Sequence, residues 1–234
     1  MEKEKFPIRI NKYLASHGYS TRLGADELIK NKKVFINGHL AVLGAKVEEG
    51  DSVEVRQNKN RKTFHYYAFN KPREVITHSP QLGEKDIKEF VPLEGVFPVG
   101  RLDKSSHGLI ILTDDGRVTD RLLNPKYIHE KEYVVEVKEK LRGSFKTKME
   151  EGIFLDDYKT KNCKVEITGE HSFKITLTEG KKHQIRRMCE ALFLTVRDLK
   201  RVRIMNIKLG NIPSGSFREL KGNELKTFLS SLGI

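Results

Sequence analysis

Phe97-Pro-Val-Gly-Arg101-Leu-Asp103-Lys-Ser-Ser-His-Gly108-Leu-Ile-Ile-Leu-Thr113 sets two apolar runs, 97–99 and 109–112, on either side of a loop that opens and closes on glycine. The runs read as buried strands and the glycines as turn positions. Between them lie Arg101, Asp103 and Lys104. A carboxylate held between two core strands is costly unless it is paired and hydrogen-bonded, so Asp103, flanked by basic side chains, reads as an ionised and aimed group. That is how a nucleophilic or electrostatic carboxylate is built. A solvated turn of mixed charge shares the same spacing.

Composition narrows the chemistry. The chain has 234 residues, 37% of them hydrophobic, with 44 basic and 32 acidic side chains and a formal charge of +12. That is enough for one sizeable core, or for a small domain joined to a larger one. The charge favours a polyanionic partner, nucleic acid before membrane. No apolar run reaches membrane-spanning length and the first residues lack a signal peptide's apolar stretch, so a cytoplasmic location is expected. Cys163 and Cys189 do not form a metal-spacing pair, and neither phosphate-binding nor dinucleotide-binding glycine fingerprints occur. No metal and no cofactor are expected.

An α+β chain of two domains is expected, divided near residue 60. In the first, Ile10, Tyr13, Leu14 and His17 share a helical face, and a second helix beginning at Ser20 or Thr21 buries Leu23, Ala25, Leu28 and Ile29. Val34-Phe-Ile-Asn37-Gly38 reads as a strand entering a two-residue turn, because Asn-Gly accepts the positive φ angles of a type I′ hairpin. The stretch 47–55 supplies another turn and a closing strand, and the polar stretch 56–62 reads as a linker.

In the second domain a strand from Phe64 to Phe69 is expected to end at a turn, Asn70-Lys71-Pro72. Asp114 and Asp115 read as a capping and turn pair, followed by a short helix over 117–123 that buries Val118 and Leu122. Alternation places Tyr133, Val135 and Val137 on one face of a strand, and on its own Tyr133 reads as a core aromatic. A helix over 144–152 precedes two alternating segments, 163–167 and 173–177, expected to pair as an antiparallel meander. Over 185–192, Ile185, Met188, Cys189 and Leu192 form a buried stripe, with Arg186 on its flank and Arg187 nearly opposite. Arg186 is therefore the better partner for a buried carboxylate, and Arg187 the better one for a phosphate. The segment 181–203 holds 8 basic and 2 acidic residues, which marks it as the surface RNA would cross. A last strand over 203–209 and a helix over 224–232 close the chain.

Gly100-Arg-Leu-Asp-Lys-Ser-Ser-His-Gly-Leu-Ile-Ile-Leu-Thr-Asp-Asp-Gly116 resembles the signature of the RsuA family of ribosomal pseudouridine synthases, which unites the small-subunit synthase A with the large-subunit synthases B, E and F. Lys131-Glu-Tyr133-x-Val135 and Glu179-Gly-x-x-x-Gln184-Ile-Arg186-Arg-Met resemble that family's second and third motifs. The resemblance implies a catalytic domain over 61–234 with a mixed, largely antiparallel sheet, and a cofactor-free isomerisation of uridine to pseudouridine. It implies a catalytic role for Asp103, base stacking and proton transfer for Tyr133, and a basic partner to the aspartate in Arg186. Arg101, Leu102, Lys104, His183, Gln184, Ile185 and Arg187 would meet RNA. His183 stands where many relatives have arginine.

Residues 8–56 resemble the S4 RNA-binding module, which implies an RNA-facing role for Arg9, Lys12 and Arg22 and for the lysines between 30 and 33 within a domain over 1–60. Softer similarity around Cys163, Arg186–Leu192 and Arg203–Ile207 points to the synthase F subgroup. The implied substrate is 23S ribosomal RNA, with a transfer-RNA anticodon loop as a second candidate, and the protein is expected to be a monomer that binds no membrane. Two other classes share these features. One is a non-catalytic S4-type RNA-binding or ribosome-assembly factor, and the other a glycosidase-like hydrolase pairing Asp103 with Asp114 or Asp115.

Overall fold

The computed structural model describes residues 6–20, 22–56, 63–78, 83–156 and 158–234. The expected linker beyond Arg56, the Thr21 cap and the Leu23 side chain lie outside the described residues. The chain divides into two compact units, 1–64 with 115–120, and 65–114 with 121–234.

In the first unit, β1 (Ile8–Arg9) leads into α1 (Ile10–Ser16), followed by α2 (Arg22–Lys30), β2 (Val34–Ile36), β3 (His39–Leu40), β4 (Lys46–Val47) and β5 (Val53–Val55). Ile10 and Leu14 of α1 meet Ala25 and Ile29 of α2 in a core closed by Val34, Ala41 and Val47. The periodicity of four along each helix places these side chains on one face. The Asn37-Gly38 turn has φ of 51° and 80° and brings Ile36 opposite His39. His17 follows the last turn of α1, exposed, with its ring stacked 3.9 Å from that of Tyr13 on the same face.

The second unit is built on a nine-stranded sheet. Its strands are β6 (Tyr66–Lys71), β7 (Phe97–Val99), β8 (His107–Thr113), β9 (Lys131–Val137), β12 (Lys164–Gly169), β13 (Ser172–Leu177), β14 (Val196–Ile204), β15 (Ile207–Lys208) and β16 (Phe217–Glu219), with a separate hairpin of β10 (Phe154–Leu155) and β11 (Tyr158–Lys159). The order is β12-β13-β9-β14-β8-β6-β16, with β7 on β8 and β15 on β14. Only β14 with β8 is a parallel pair among these. Four further α-helices lie among the described residues: α3 (Arg117–Leu123), α4 (Phe145–Glu150), α5 (Gln184–Glu190) and α6 (Gly222–Leu232).

Phe145 and Met149 of α4 and Ile185, Met188 and Cys189 of α5 share one core with Phe69, Ile110, Leu112, Tyr133, Val135 and Leu199 of the sheet. Full burial of each such side chain contributes about 1.5–3 kcal/mol relative to exposure. That contact fixes α5 over the sheet's centre, beside the loop between β7 and β8.

Three expectations change here. Asn70 and Lys71 do not turn; they continue β6, paired with Leu109 and Gly108, and the strand stops at Pro72, which has no N–H to donate. The last strand is two: the nine-residue β14, then a reversal at Met205 and Asn206 into β15. On β12 only Val165 is buried and Ile167 is exposed, because β12 is an edge strand whose register slips between Ile167 and Gly169.

Candidate active site

Asp103 sits in the loop from Gly100 to Gly108, whose end glycines have φ of 81° and 104°. At Gly108 an added Cβ would lie 2.3 Å from the Arg201 carbonyl oxygen, so only glycine lets β14 approach β8 this closely. The backbone of Leu102 is gripped from both sides by the buried Thr77, whose hydroxyl donates to the Leu102 carbonyl at 2.9 Å and accepts from its N–H at 3.2 Å. The Ser106 N–H donates to the Asp103 carbonyl at 3.0 Å. With its neighbours fastened inward, the Asp103 side chain is left 37% exposed.

His183 Nε2 lies 3.4 Å from Asp103 Oδ1. His183 is the N-cap of α5 and holds a left-handed conformation, φ 53°. This corrects the expected Asp103–Arg186 pair, which does not form among the described residues. Arg186 instead donates to the Ser106 hydroxyl and to the Val196 carbonyl, both at 3.4 Å, so it braces the same loop three residues away. The left-handed cap swings His183 out of the helical spiral from which Arg186 projects, and that brings the imidazole, rather than the guanidinium, to the carboxylate.

Tyr133 is 9% exposed, in the core that α5 and Leu102 share. Arg101 is exposed, and His78, hydrogen-bonded to the Gly100 backbone, has its pKa pushed down by burial and by the Arg101 charge. Lys104 is exposed and paired with Glu84 at 2.8 Å. Arg187 is ion-paired with Asp156 in the turn between β10 and β11. Leu102 and Ile185 are core residues, and Gln184, also buried, donates to Glu179 at 2.7 Å and accepts from the Lys181 N–H at 2.9 Å. All three side chains are buried beneath the site. In the first unit Arg9, Lys12 and Arg22 are exposed.

Asp114 accepts from the His65 N–H at 2.7 Å, and Asp115, fully buried, accepts from the Arg117 backbone N–H and is held bidentately by its guanidinium. Both carboxylates serve the turn and the start of α3, as their spacing suggests. Cys163 and Cys189 are pushed up to about 11 and about 12 by burial, which keeps both as thiols. Among the described residues no group of three or more His, Cys, Asp or Glu side chains could hold a metal ion, and no helix is long and apolar enough to cross a membrane.

Thr77, Ser106 and the buried Lys71 and Arg201 were not legible as site residues. Lys71 Nζ donates to the Pro72 and Ser106 carbonyls at 2.8 Å and to that of Lys104 at 3.4 Å, and burial pulls its pKa down to about 8. Arg201 donates to the carbonyl of Leu109 at 2.7 Å and to that of Arg101 at 3.5 Å.

The family model for RNA pseudouridylate synthases matches residues 65–191, which spans this site from the strand before the loop to α5. The chain belongs to that family. It is 39% identical over 224 residues to the dual-specificity RNA pseudouridine synthase RluF of Escherichia coli, covering 93% of this chain and 77% of that relative. It is 36% identical to the ribosomal large subunit pseudouridine synthase B of Bacillus subtilis, covering 93% and 94%. A crystal structure of a pseudouridylate synthase superposes with a TM-score of 0.70 at 27% identity, over 96% of this chain and 99% of that one. The synthase is thus an isomerase by family.

Proposed function

We propose that this synthase isomerises a specific uridine to pseudouridine in structured RNA, with 23S ribosomal RNA as first substrate and a transfer-RNA anticodon loop as second. One observation carries the reading: a half-exposed aspartate, on a loop whose backbone is fastened inward, meets an imidazole from the helix that also braces that loop. Isomerisation detaches the base at its glycosidic bond, turns it and rejoins it through C5, so nothing is oxidised or consumed. Asp103 is the group that acts on the nucleoside, as nucleophile or as the charge that stabilises bond breaking. Tyr133 lies against the flipped base, and unstacking that base costs a few kcal/mol. Arg101 and His183 face the neighbouring RNA, where backbone contacts set register without reading sequence.

Residues 1–60 are read as an S4-like RNA-binding domain, with Arg9, Lys12 and Arg22 on exposed positions of β1, α1 and α2. Its excess of 12 basic over 8 acidic residues through position 61 is modest, so it orients substrate more than it supplies affinity. The protein is read as a monomer. Chemical mapping of pseudouridines in total RNA, with and without the gene, tests the assignment. Loss of a defined 23S modification supports it, and an unchanged map of ribosomal and transfer RNA overturns it.

A further inference from the structure

The sheet register lines up four residues from four neighbouring strands: Lys71 of β6 opposite Gly108 of β8, Gly108 opposite Arg201 of β14, and Arg201 opposite Tyr133 of β9. Register partners project to the same face of a sheet. Glycine contributes no side chain, so the two cations stand on either side of a close backbone approach, at the point where the Asp103 loop enters β8.

Both cations are buried, Lys71 fully and Arg201 to 4% exposure. Buried cations normally answer carboxylates. Here neither has a salt bridge among the described residues, and both spend their N–H groups on backbone carbonyls instead. The three donors of the Lys71 ammonium go to Pro72, Lys104 and Ser106. Arg201 takes Arg101 and Leu109, and its remaining terminal nitrogen has no acceptor.

The accounting of the loop is then nearly complete. Carbonyl 101 goes to Arg201, 102 to Thr77, 103 to the Ser106 N–H, 104 to Lys71 and to the Glu74 N–H, and 106 to Lys71. A loop with its carbonyls turned inward must direct its ionised side chain outward.

We propose that Lys71 and Arg201 are positioning residues of the uridine isomerisation: a buried pair of cations that sets the shape of the Asp103 loop through its carbonyl oxygens. This rests on Asp103 being the reacting group. The charged groups acting on Lys71 are Glu74 from the loop after β6, Asp103 from the catalytic loop and Arg201 from β14. The two acids favour its ammonium, while burial and Arg201 oppose it. The ammonium therefore titrates near 8 rather than at 10.5, within reach of an activity assay.

The test is pseudouridine formation on RNA transcript, measured as kcat and KM from about pH 6.5 to about pH 9. Wild type should lose kcat on the basic side, centred near pH 8. Lys71→Met, which keeps the stem and deletes the charge, should lower kcat at pH 7 at least tenfold, leave KM within twofold and abolish the basic fall. Lys71→Arg, which does not deprotonate in this range, should retain more activity than Lys71→Met and carry its plateau past pH 8.5. Lys131→Met checks the other lysine that burial brings to about 8, and the basic fall should survive it. Melting of each variant is followed alongside, so that a misfolded Lys71→Arg leaves the Lys71→Met and wild-type profiles to decide. A basic fall that persists in Lys71→Met, or wild-type kcat in that variant, overturns the inference while leaving the synthase reading intact. A wild type that forms no pseudouridine overturns the synthase reading itself.

Discussion

His183 Nε2 stands 3.4 Å from Asp103 Oδ1, and the imidazole reaches it only because His183 takes a left-handed conformation one residue ahead of α5. Both side chains are partly exposed, 49% and 37%, so solvent screens the pair and its contribution belongs at the low end for a charge-assisted contact. His183→Ala should lower kcat about tenfold, which corresponds to about 1.4 kcal/mol, with melting unchanged. Single-turnover kinetics check this, and a change confined to KM would assign His183 to RNA binding alone.

Gly108 carries the tightest steric demand of the site. An added Cβ meets the Arg201 carbonyl at 2.3 Å and must also accept φ of 104°. Gly108→Ala should cost at least about 3 kcal/mol of stability in urea denaturation, since neither backbone can yield without breaking the β8–β14 pairing. A loss under about 1 kcal/mol would mean that the two strands separate freely there.

Acid should weaken the fold. His78, His107 and His129 all have pKa values pushed below 6.5, in each case first by burial, and for His107 against the pull of Asp198. Between the folded value and 6.5 the unfolded chain binds more protons than the folded one, so stability falls as pH drops through that window. The lysines at positions 71 and 131 act at the other end: their lowered values make stability rise between about 8 and 10.5. The melting temperature should therefore fall from about pH 7.5 to about pH 5.5. A rise over that range would contradict the burial of these histidines.

Tyr133 joins core and site. Tyr133→Phe keeps the ring among Val135, Leu102 and Ile185 and removes only the hydroxyl, so melting should change little. If the hydroxyl moves a proton during the reaction, kcat should fall about 100-fold with KM for RNA unchanged. Wild-type kcat would confine Tyr133 to stacking.

Much of the site's frame was legible because glycine and apolar runs are strong signals. The two runs became β7 and β8, and the stripe of Ile185, Met188 and Cys189 became the buried face of α5. What could not be read was the polar interior. β14 runs Val-Arg-Asp-Leu-Lys-Arg-Val-Arg-Ile, and its charges hide a central strand, since Arg201 is buried for the sake of carbonyls that no local pattern displays. Helical periodicity ranked Arg186 as the aspartate's partner, but that rule holds only for residues inside the helix. His183 lies just outside it, where one positive φ redirects the side chain.

The central claim is that Asp103 breaks and remakes the bond to a uridine base. Its most direct measurement is tritium release from RNA labelled at C5 of uridine, in wild type and Asp103→Asn, with RNA binding followed in parallel. The predicted result is stoichiometric release at the target site by wild type, none above background by Asp103→Asn, and similar affinity for both. Release by Asp103→Asn at the wild-type rate would contradict it.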